Sequence, residues 1–304
     1  MTEELVSNPY AQWDEIVDQM VPVGTLQIYD WIEENEPRSK DTNVNRASSA
    51  TYCQKRRWYQ KRGVDGIPIT PRKRINFYTG DIVEMVILSY ISKACVGNGK
   101  LYSEIDFGDP IAEINVNGKI LYTYKQKTLT TKIDDLKITC HADGFGKRNT
   151  DGKWELIEIK SSNSFSFKSF KLEGPKDYLK QAHTIMASEE CKSLGIVNTR
   201  YWYEKKETGQ IWDEVILFSE DIWKQTKDEF LLVMKEEEPP APFSLVEEMT
   251  GRSPNKKTTG RMIANFPCSY CPFIEPCHGP FIKEYKENQW GEKKPVFVFE
   301  RRVT

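Results

Sequence analysis

The sequence predicts an α/β fold with a mixed sheet at its core and helical additions at both ends. Patterns typical of helices and strands follow one another in the order helices, mixed sheet, helix, two strands and helix. The pairs Asn117-Gly118 and Asp151-Gly152, which favour tight hairpin turns, separate neighbouring strand patterns. A chain of 304 residues is long enough to bury a substantial core in one or two domains.

Local signals place the individual elements. Ser48 and Ser49 are candidate caps for an early helix, and Pro175 opens a long one. The expected helices span residues 26–34, 48–62, 81–94, 176–194 and 221–237. The expected strands span residues 101–105, 113–116, 119–124, 200–205 and 211–218, with one strand before Asp143 and another around Glu158. Residues 239–264 have little apolar content and are expected to form a mobile connection.

The composition narrows the class of protein. It is 38% hydrophobic and 29% charged, which is ordinary for a soluble globular protein. No apolar run approaches 18 residues, and the acidic start of the chain lacks the apolar core of a signal peptide, so a cytoplasmic location is expected. The net charge of −2 excludes a uniformly basic surface. Seven cysteines in a reducing compartment indicate metal or cluster binding rather than disulfides.

Two strand segments contain the residues of a candidate metal site. Asp143 ends one apolar strand, and Glu158 and Lys160 share a face of the next strand, because side chains alternate along a strand. Two carboxylates can bind a hard cation such as Mg²⁺, and a neighbouring lysine can orient a water molecule. Asp143 as a turn residue and an ordinary Glu158–Lys160 ion pair are the alternatives. Charges within an apolar strand are costly without partners, which favours the metal site.

Glu84 is a further candidate ligand. It lies in a helix that is apolar nearly all round, at residues 82–88, so its carboxylate needs a partner. A metal ion would supply that partner.

The cysteines near the end of the chain indicate a second metal site. Cys268, Cys271 and Cys277 have the spacing C-x2-C-x5-C, which suits zinc or an iron–sulfur cluster. His278 or the distant Cys53 can serve as the fourth ligand. The remaining cysteines lie in apolar elements and are expected to be small buried hydrophobes: Cys95, Cys140 and Cys191.

A basic block at residues 55–74 contains interleaved aromatic side chains. Cations beside stackable rings are typical of grooves that bind single-stranded nucleic acid, although most charge runs are solvated helix faces. The candidate DNA-binding residues are Lys55, Arg56, Arg57 and Trp58.

Taken together, these residues resemble the PD-(D/E)xK nuclease superfamily, and more narrowly the RecB-like exonucleases that carry an iron–sulfur cluster, including the CRISPR-associated exonucleases and related phage exonucleases. Asp143 matches the motif Asp, and Glu158 and Lys160 match E-x-K. Gln181, one turn after Tyr178, matches the glutamine of the following helix. Glu84 stands where family members often have a histidine.

The resemblance implies a restriction-endonuclease-like mixed sheet flanked by helices, and a DNA exonuclease that depends on Mg²⁺ or Mn²⁺. Metal ligands would be Glu84, Asp143, Glu158 and the Ile159 carbonyl. Catalytic residues would be Asp143, Glu158, Lys160, Gln181 and Tyr178. A structural [4Fe-4S] cluster would be held by Cys53, Cys268, Cys271 and Cys277, with zinc as the lesser alternative.

The implied organisation is an N-terminal extension (1–47), a nuclease domain (48–278) and a C-terminal tail (279–304). The implied substrate is single-stranded DNA or DNA ends in recombination, repair or replication, with recombination or replication proteins as possible partners and no membrane association. A host cytoplasm is expected if the protein comes from a phage. A non-catalytic DNA-binding or adaptor protein with a structural metal site is the alternative.

Overall fold

The structure is a computed structural model, and it describes residues 5–7, 20–36, 45–250, 257–269, 271–287 and 293–299. The chain divides into two compact units. The sheet unit comprises Asn43–Tyr52 and Phe77–Lys235, and the cysteine unit comprises Met1–Thr42, Cys53–Asn76 and Glu236–Thr304. The organisation predicted from the sequence, with boundaries near residues 47 and 278, stays a prediction.

The helices are α1 (Val23–Asn35), α2 (Gln54–Lys61), α3 (Pro71–Ala94), α4 (Ser164–Glu173), α5 (Leu179–Met186), α6 (Glu189–Ser193), α7 (Glu220–Lys235), α8 (Phe266–Ser269) and α9 (Ile274–His278). The strands are β1 (Leu5–Ser7), β2 (Met20–Pro22), β3 (Tyr102–Asp106), β4 (Pro110–Val116), β5 (Lys119–Tyr124), β6 (Lys127–Ile133), β7 (Leu136–Ala142), β8 (Gly144–Arg148), β9 (Trp154–Ser162), β10 (Asn198–Lys205), β11 (Gln210–Leu217), β12 (Val246–Thr250), β13 (Lys257–Ile263), β14 (Ile282–Glu287) and β15 (Lys293–Phe299). Short 3₁₀ helices lie at Ala47–Thr51 and Lys176–Tyr178.

A mixed five-stranded sheet organises the sheet unit, in the order β11-β10-β9-β8-β3. β9 and β10 are parallel, since the chain crosses between them through α4, α5 and α6, and the other pairs are antiparallel. The predicted hairpin around Asp151-Gly152 is present as β8 and β9. Gly152 has φ +67°, a left-handed conformation that favours glycine.

Both faces of this sheet are covered by helices, which confirms the predicted α/β fold class. Alternation along β9 sends Leu156 to one face, where it packs in the core that includes α4 and α5 side chains. Ile157 and Ile159 point to the other face and pack with Leu88 and Ile91 of α3. The central strand is therefore buried on both sides.

Helix α3 begins ten residues earlier than predicted. Pro71 occupies the first turn of the helix, where its missing N–H costs nothing. The Thr70 hydroxyl accepts a hydrogen bond from the Lys73 amide at 3.4 Å and caps the helix.

Two other predicted helices are interrupted at a capping residue. The helix expected at 48–62 is a 3₁₀ turn followed by α2, and the Cys53 thiol caps α2. The helix expected at 176–194 is a 3₁₀ turn followed by α5 and α6, because the Ser188 hydroxyl accepts from the Cys191 amide and starts a new helix. Helix α4 was not predicted; the Asn163 side chain caps it.

The cysteine unit contains a four-stranded sheet in the order β12-β13-β15-β14. The expectation of a mobile connection at residues 239–264 was wrong for the residues that form β12 and β13, and residues 251–256 lie outside the described part of the chain. Ile274, Phe297 and Phe299 form a small core with Cys268. Within the described part of the chain, no helix combines the length and apolarity needed to span a membrane.

Candidate active site

The β8–β9 hairpin brings Asp143 to the middle of β9. Asp143 immediately precedes β8, and Gly144 pairs with Ile157. The Asp143 Oδ2 atom accepts a hydrogen bond from the Ile159 amide at 2.7 Å, which fixes the carboxylate against β9. A Cβ atom on Gly144 would stand 2.4 Å from Phe107, so only glycine fits beside this aspartate.

Glu158 lies at the centre of the predicted constellation and is 1% exposed. Its Oε2 atom accepts hydrogen bonds from Lys160 Nζ at 2.8 Å and from Gln181 Nε2 at 3.4 Å. Its Oε1 atom is buried and has no hydrogen-bond partner among the described residues. A buried carboxylate oxygen without a donor is costly, and this one is available to a ligand.

Gln126 connects Glu84 to the other carboxylates. Its Nε2 atom donates to Glu84 Oε1 at 3.0 Å and to Asp143 Oδ1 at 2.8 Å. Glu84 of α3 and Asp143 of the hairpin therefore lie on either side of one amide. Sequence reasoning missed Gln126, because a glutamine in the connection between β5 and β6 carries no local pattern.

Tyr178 and the Ile159 carbonyl complete the set that the sequence singled out. The Lys160 ammonium lies 5.7 Å from the centre of the Tyr178 ring, a cation–π distance, and donates to the Ile159 carbonyl at 3.1 Å. Every predicted residue of the catalytic constellation thus lies within one group of contacts in the sheet unit.

The carboxylates of this group resist ionisation. Burial, with Asp143 nearby, raises the pKa of Glu84 to about 7. Burial raises the pKa of Glu158 to about 8 against the opposing effect of Lys160, and burial also raises the pKa of Asp143. Burial alone would lower the pKa of Lys160, but the Glu158 and Asp143 carboxylates outweigh it and raise that pKa. In the absence of a cation, burial therefore favours protonated carboxyls beside the single lysine.

These donors suit a divalent cation in chemical type. Carboxylate and carbonyl oxygens are the ligands of Mg²⁺ and Mn²⁺, and Glu158 offers an oxygen with no competing donor. Among the residues that the structure describes, no group of three or more His, Cys, Asp or Glu side chains has the spacing of a formed metal site. The Gln126 amide separates Glu84 from Asp143, so binding a shared cation requires that amide to move.

The four predicted cluster cysteines all lie in the cysteine unit. Burial raises the pKa of Cys268 to about 12, and Cys271, Cys53 and Cys277 raise it further. Burial raises the pKa of Cys277 to about 11, with a contribution from Cys53. The Cys53 Sγ atom accepts a hydrogen bond from the Arg56 amide at 3.3 Å. Cys53 therefore lies close enough to influence the local three, although these cysteines, all among the described residues, do not have the spacing of a formed metal site.

His278, the alternative fourth ligand, packs edge-on against Phe299, with ring centres 5.5 Å apart. Burial lowers its pKa, and its Nε2 atom has no hydrogen-bond partner among the described residues. The outcome for the other cysteines matches the prediction in two cases, because Cys140 and Cys191 are fully buried. Cys95 is only half-buried.

The candidate DNA-binding residues differ in their accessibility. Arg57 is 1% exposed. The Trp58 indole donates to the Glu236 carbonyl at 3.1 Å, and the Arg62 guanidinium stacks 3.8 Å from its ring centre. Lys55 and Arg56 are half-buried on α2. The structure places the four residues together on one helix, with Arg57 directed inward.

Neither the family models nor the curated proteins compared with the chain gave a match. Among solved structures, the chain is similar to SSO0001 at 16% identity, over 84% of this chain and 96% of that one, with a TM-score of 0.41. It is similar to an alkaline exonuclease, LHK-Exo, from Laribacter hongkongensis at 16% identity, over 63% and 87%, with a TM-score of 0.35. It is also similar to LHK-Exo in complex with dAMP at 19% identity, over 36% and 55%, with a TM-score of 0.27.

Proposed function

We propose that this protein is a divalent-metal-dependent nuclease that hydrolyses the phosphodiester bonds of DNA, acting as an exonuclease on single strands or ends. The observation that carries the proposal is the convergence of Glu84, Asp143 and Glu158 beside Lys160, with one buried Glu158 oxygen lacking a donor. Structural ion pairs are normally satisfied, whereas this group keeps an unused acceptor and three carboxylates of raised pKa.

The residues of the site would have different roles in this reaction. Glu84, Asp143, Glu158 and the Ile159 carbonyl would hold Mg²⁺ or Mn²⁺, which supplies Lewis-acid polarisation of the phosphate and a lower pKa for water. Asp143 is kept in position by the Ile159 amide. Gln181 fixes the orientation of Glu158 through Oε2.

Lys160 remains an ammonium, because neighbouring carboxylates raise its pKa. It therefore serves as a hydrogen-bond donor that orients the attacking water and offsets charge on the phosphate, and not as a base at neutral pH. Tyr178 lies beside this ammonium and would position the strand.

The same proposal covers the substrate and the second metal site. Lys55, Arg56 and Trp58 on α2 are suited to guide a DNA strand, whereas Arg57 is too deeply buried for that role. Cys53, Cys268, Cys271 and Cys277 would hold a structural [4Fe-4S] cluster, and zinc is the alternative that metal analysis separates from it. The presence of all four cysteines in one unit, where Cys53 contributes to the raised pKa values of Cys268 and Cys277, supports this assignment.

The test is digestion of end-labelled single-stranded DNA with Mg²⁺ or Mn²⁺ by anaerobically purified protein. Glu158→Gln should lower the rate at least about 100-fold, as expected for loss of a charged group at a reacting phosphate. Glu204→Gln is the matched control: Glu204 is also a buried glutamate, on the neighbouring strand β10, but it pairs with Ser161 and so faces away from Lys160.

The nuclease proposal is supported if the wild type and Glu204→Gln shorten the labelled DNA in a metal-dependent reaction and Glu158→Gln does not. The position of the label in the products gives the polarity of digestion. DNA binding without cleavage by any of the proteins would contradict the proposal and favour the non-catalytic adaptor.

A further inference from the structure

A cavity of about 620 Å³ in the sheet unit adjoins the candidate active site. Glu84 and Gln126 belong to its wall and also to the group of contacts around Asp143. Its volume lies within the range of roughly 300–1,000 Å³ that is typical of small-ligand sites. The cavity therefore continues directly from the point where the scissile phosphate would lie.

The wall of this cavity is largely apolar. Ile82, Met85 and Leu88 follow one another at three-residue spacing on α3, so they share a face of the helix. Opposite them stand Ile114 and Tyr124 of the β4–β5 hairpin. Ile82 is 56% exposed and Ile114 is 40% exposed, so the fold leaves apolar surface uncovered at this place.

The aromatic member of the wall is held in a fixed position. The Tyr124 ring packs against Phe107 with centres 5.3 Å apart. The rest of the wall is polar and of mixed charge: Asp81, Glu84, Thr123, Lys125, Gln126, Thr128 and His141. An apolar slot with an aromatic ring, one lysine at its border and the proposed phosphate-cleaving centre at one side matches one kind of ligand, a planar base joined to a phosphate.

We propose that this cavity receives the unpaired base of the nucleotide adjoining the scissile phosphate. The proposal rests on the nuclease function and adds to it a site that selects single strands: the base must be unpaired, since a paired base cannot enter the slot. Ile114 and Tyr124 contact the base, and Lys125 contacts the backbone. Single-stranded DNA and frayed ends then satisfy the site, whereas a closed duplex does not.

The experiment compares two serine variants of the same hairpin. Ile114→Ser removes an apolar wall residue, and Ile120→Ser is the matched control, because Ile120 is also 40% exposed but is not part of the wall. Ile114 pairs with Leu121 and Asn115 pairs with Ile120, so the two isoleucines occupy neighbouring positions of the same hairpin.

Binding is measured without divalent metal, by the fluorescence of single-stranded oligonucleotides that carry 2-aminopurine at successive positions from the end. We expect one position to respond on binding to the wild type and to Ile120→Ser. Ile114→Ser should weaken binding about tenfold and diminish that response. Digestion with Mn²⁺ should show a matching rise in KM for Ile114→Ser. An oligonucleotide with an abasic nucleotide at the responding position should abolish the difference between Ile114→Ser and the wild type.

Equal binding by the two serine variants, or an equal effect of Ile114→Ser on normal and abasic oligonucleotides, would overturn the base-binding site while leaving the nuclease intact. Absence of digestion by the wild type, together with a response that Ile114→Ser diminishes, would overturn the nuclease while supporting a nucleobase site. Absence of both would overturn both.

Discussion

The metal-free protein should lose stability as the pH rises from about 5 to 8, and Glu158→Gln should reduce that loss. The pKa of Glu158 is about 8 in the folded protein, against 4.5 for an ordinary glutamate. Between these values the folded state holds a proton that the unfolded state has released. Stability contributed by the protonated carboxyl is therefore present below pH 4.5 and disappears as the pH passes through 8.

The magnitude follows from this one proton. Each pH unit within the window changes the free energy of unfolding by about 1.4 kcal/mol, on the order of 5 kcal/mol over the whole window. Glutamine cannot ionise, so the variant should show a slope smaller by about one proton. The dependence of stability on pH that remains in this variant comes from Glu84 and Asp143, whose pKa values are also raised.

The assay is urea unfolding in EDTA at pH 5, 6.5 and 8 for the wild type and Glu158→Gln. Parallel pH profiles for the two proteins would refute the reasoning, because Glu158 would then ionise alike in both states. Added Mg²⁺ should stabilise the wild type more at pH 8 than at pH 6, since the carboxylates must be ionised to bind it.

Two further substitutions test local packing and the cysteine cluster. Gly144→Ala should lower the free energy of unfolding in urea by about 1–3 kcal/mol, because the new Cβ would meet the Phe107 ring. Gly80→Ala in α3, where the Cβ would meet open space, should raise it by about 0.5–1 kcal/mol. Equal effects of the two substitutions would refute the packing argument. Cys268→Ala should contain less iron and sulfide than the wild type and should unfold more easily. Cys140→Ala, which alters a buried cysteine outside the four, should keep its iron. Unaltered stability and metal content in Cys268→Ala would contradict the cluster.

The β8–β9 hairpin was predictable from the sequence because its determinants are local. An Asp-Gly turn, strand alternation and the spacing of Asp143 from Glu158 and Lys160 fix the register within a few residues. The place of Gln181 could not be predicted from local sequence alone, because its contact with Glu158 depends on how α5 packs against the sheet. Its prediction came from the family resemblance and not from any local pattern.

The missed features depend on competition between local and distant interactions. Ser188 has ordinary helical neighbours, and only its hydroxyl bond to the Cys191 amide shows that a new helix begins there. Strand β12 has a polar sequence, and pairing with β13 provides its order. Gln126 lies in a connection, where its bridge between Glu84 and Asp143 exists only after three separate elements have assembled.

The place of β9 in its sheet determines which parts of the site are free to adjust. β9 is the central strand, bonded to β8 on one side and β10 on the other, so amide hydrogens around Glu158 should exchange with solvent among the slowest in the protein. Gln126 lies in an irregular connection without such bonding on both sides. If the proposed DNA substrate binds, we therefore expect the accompanying movement at Gln126, whereas Glu158 and Lys160 should keep their positions.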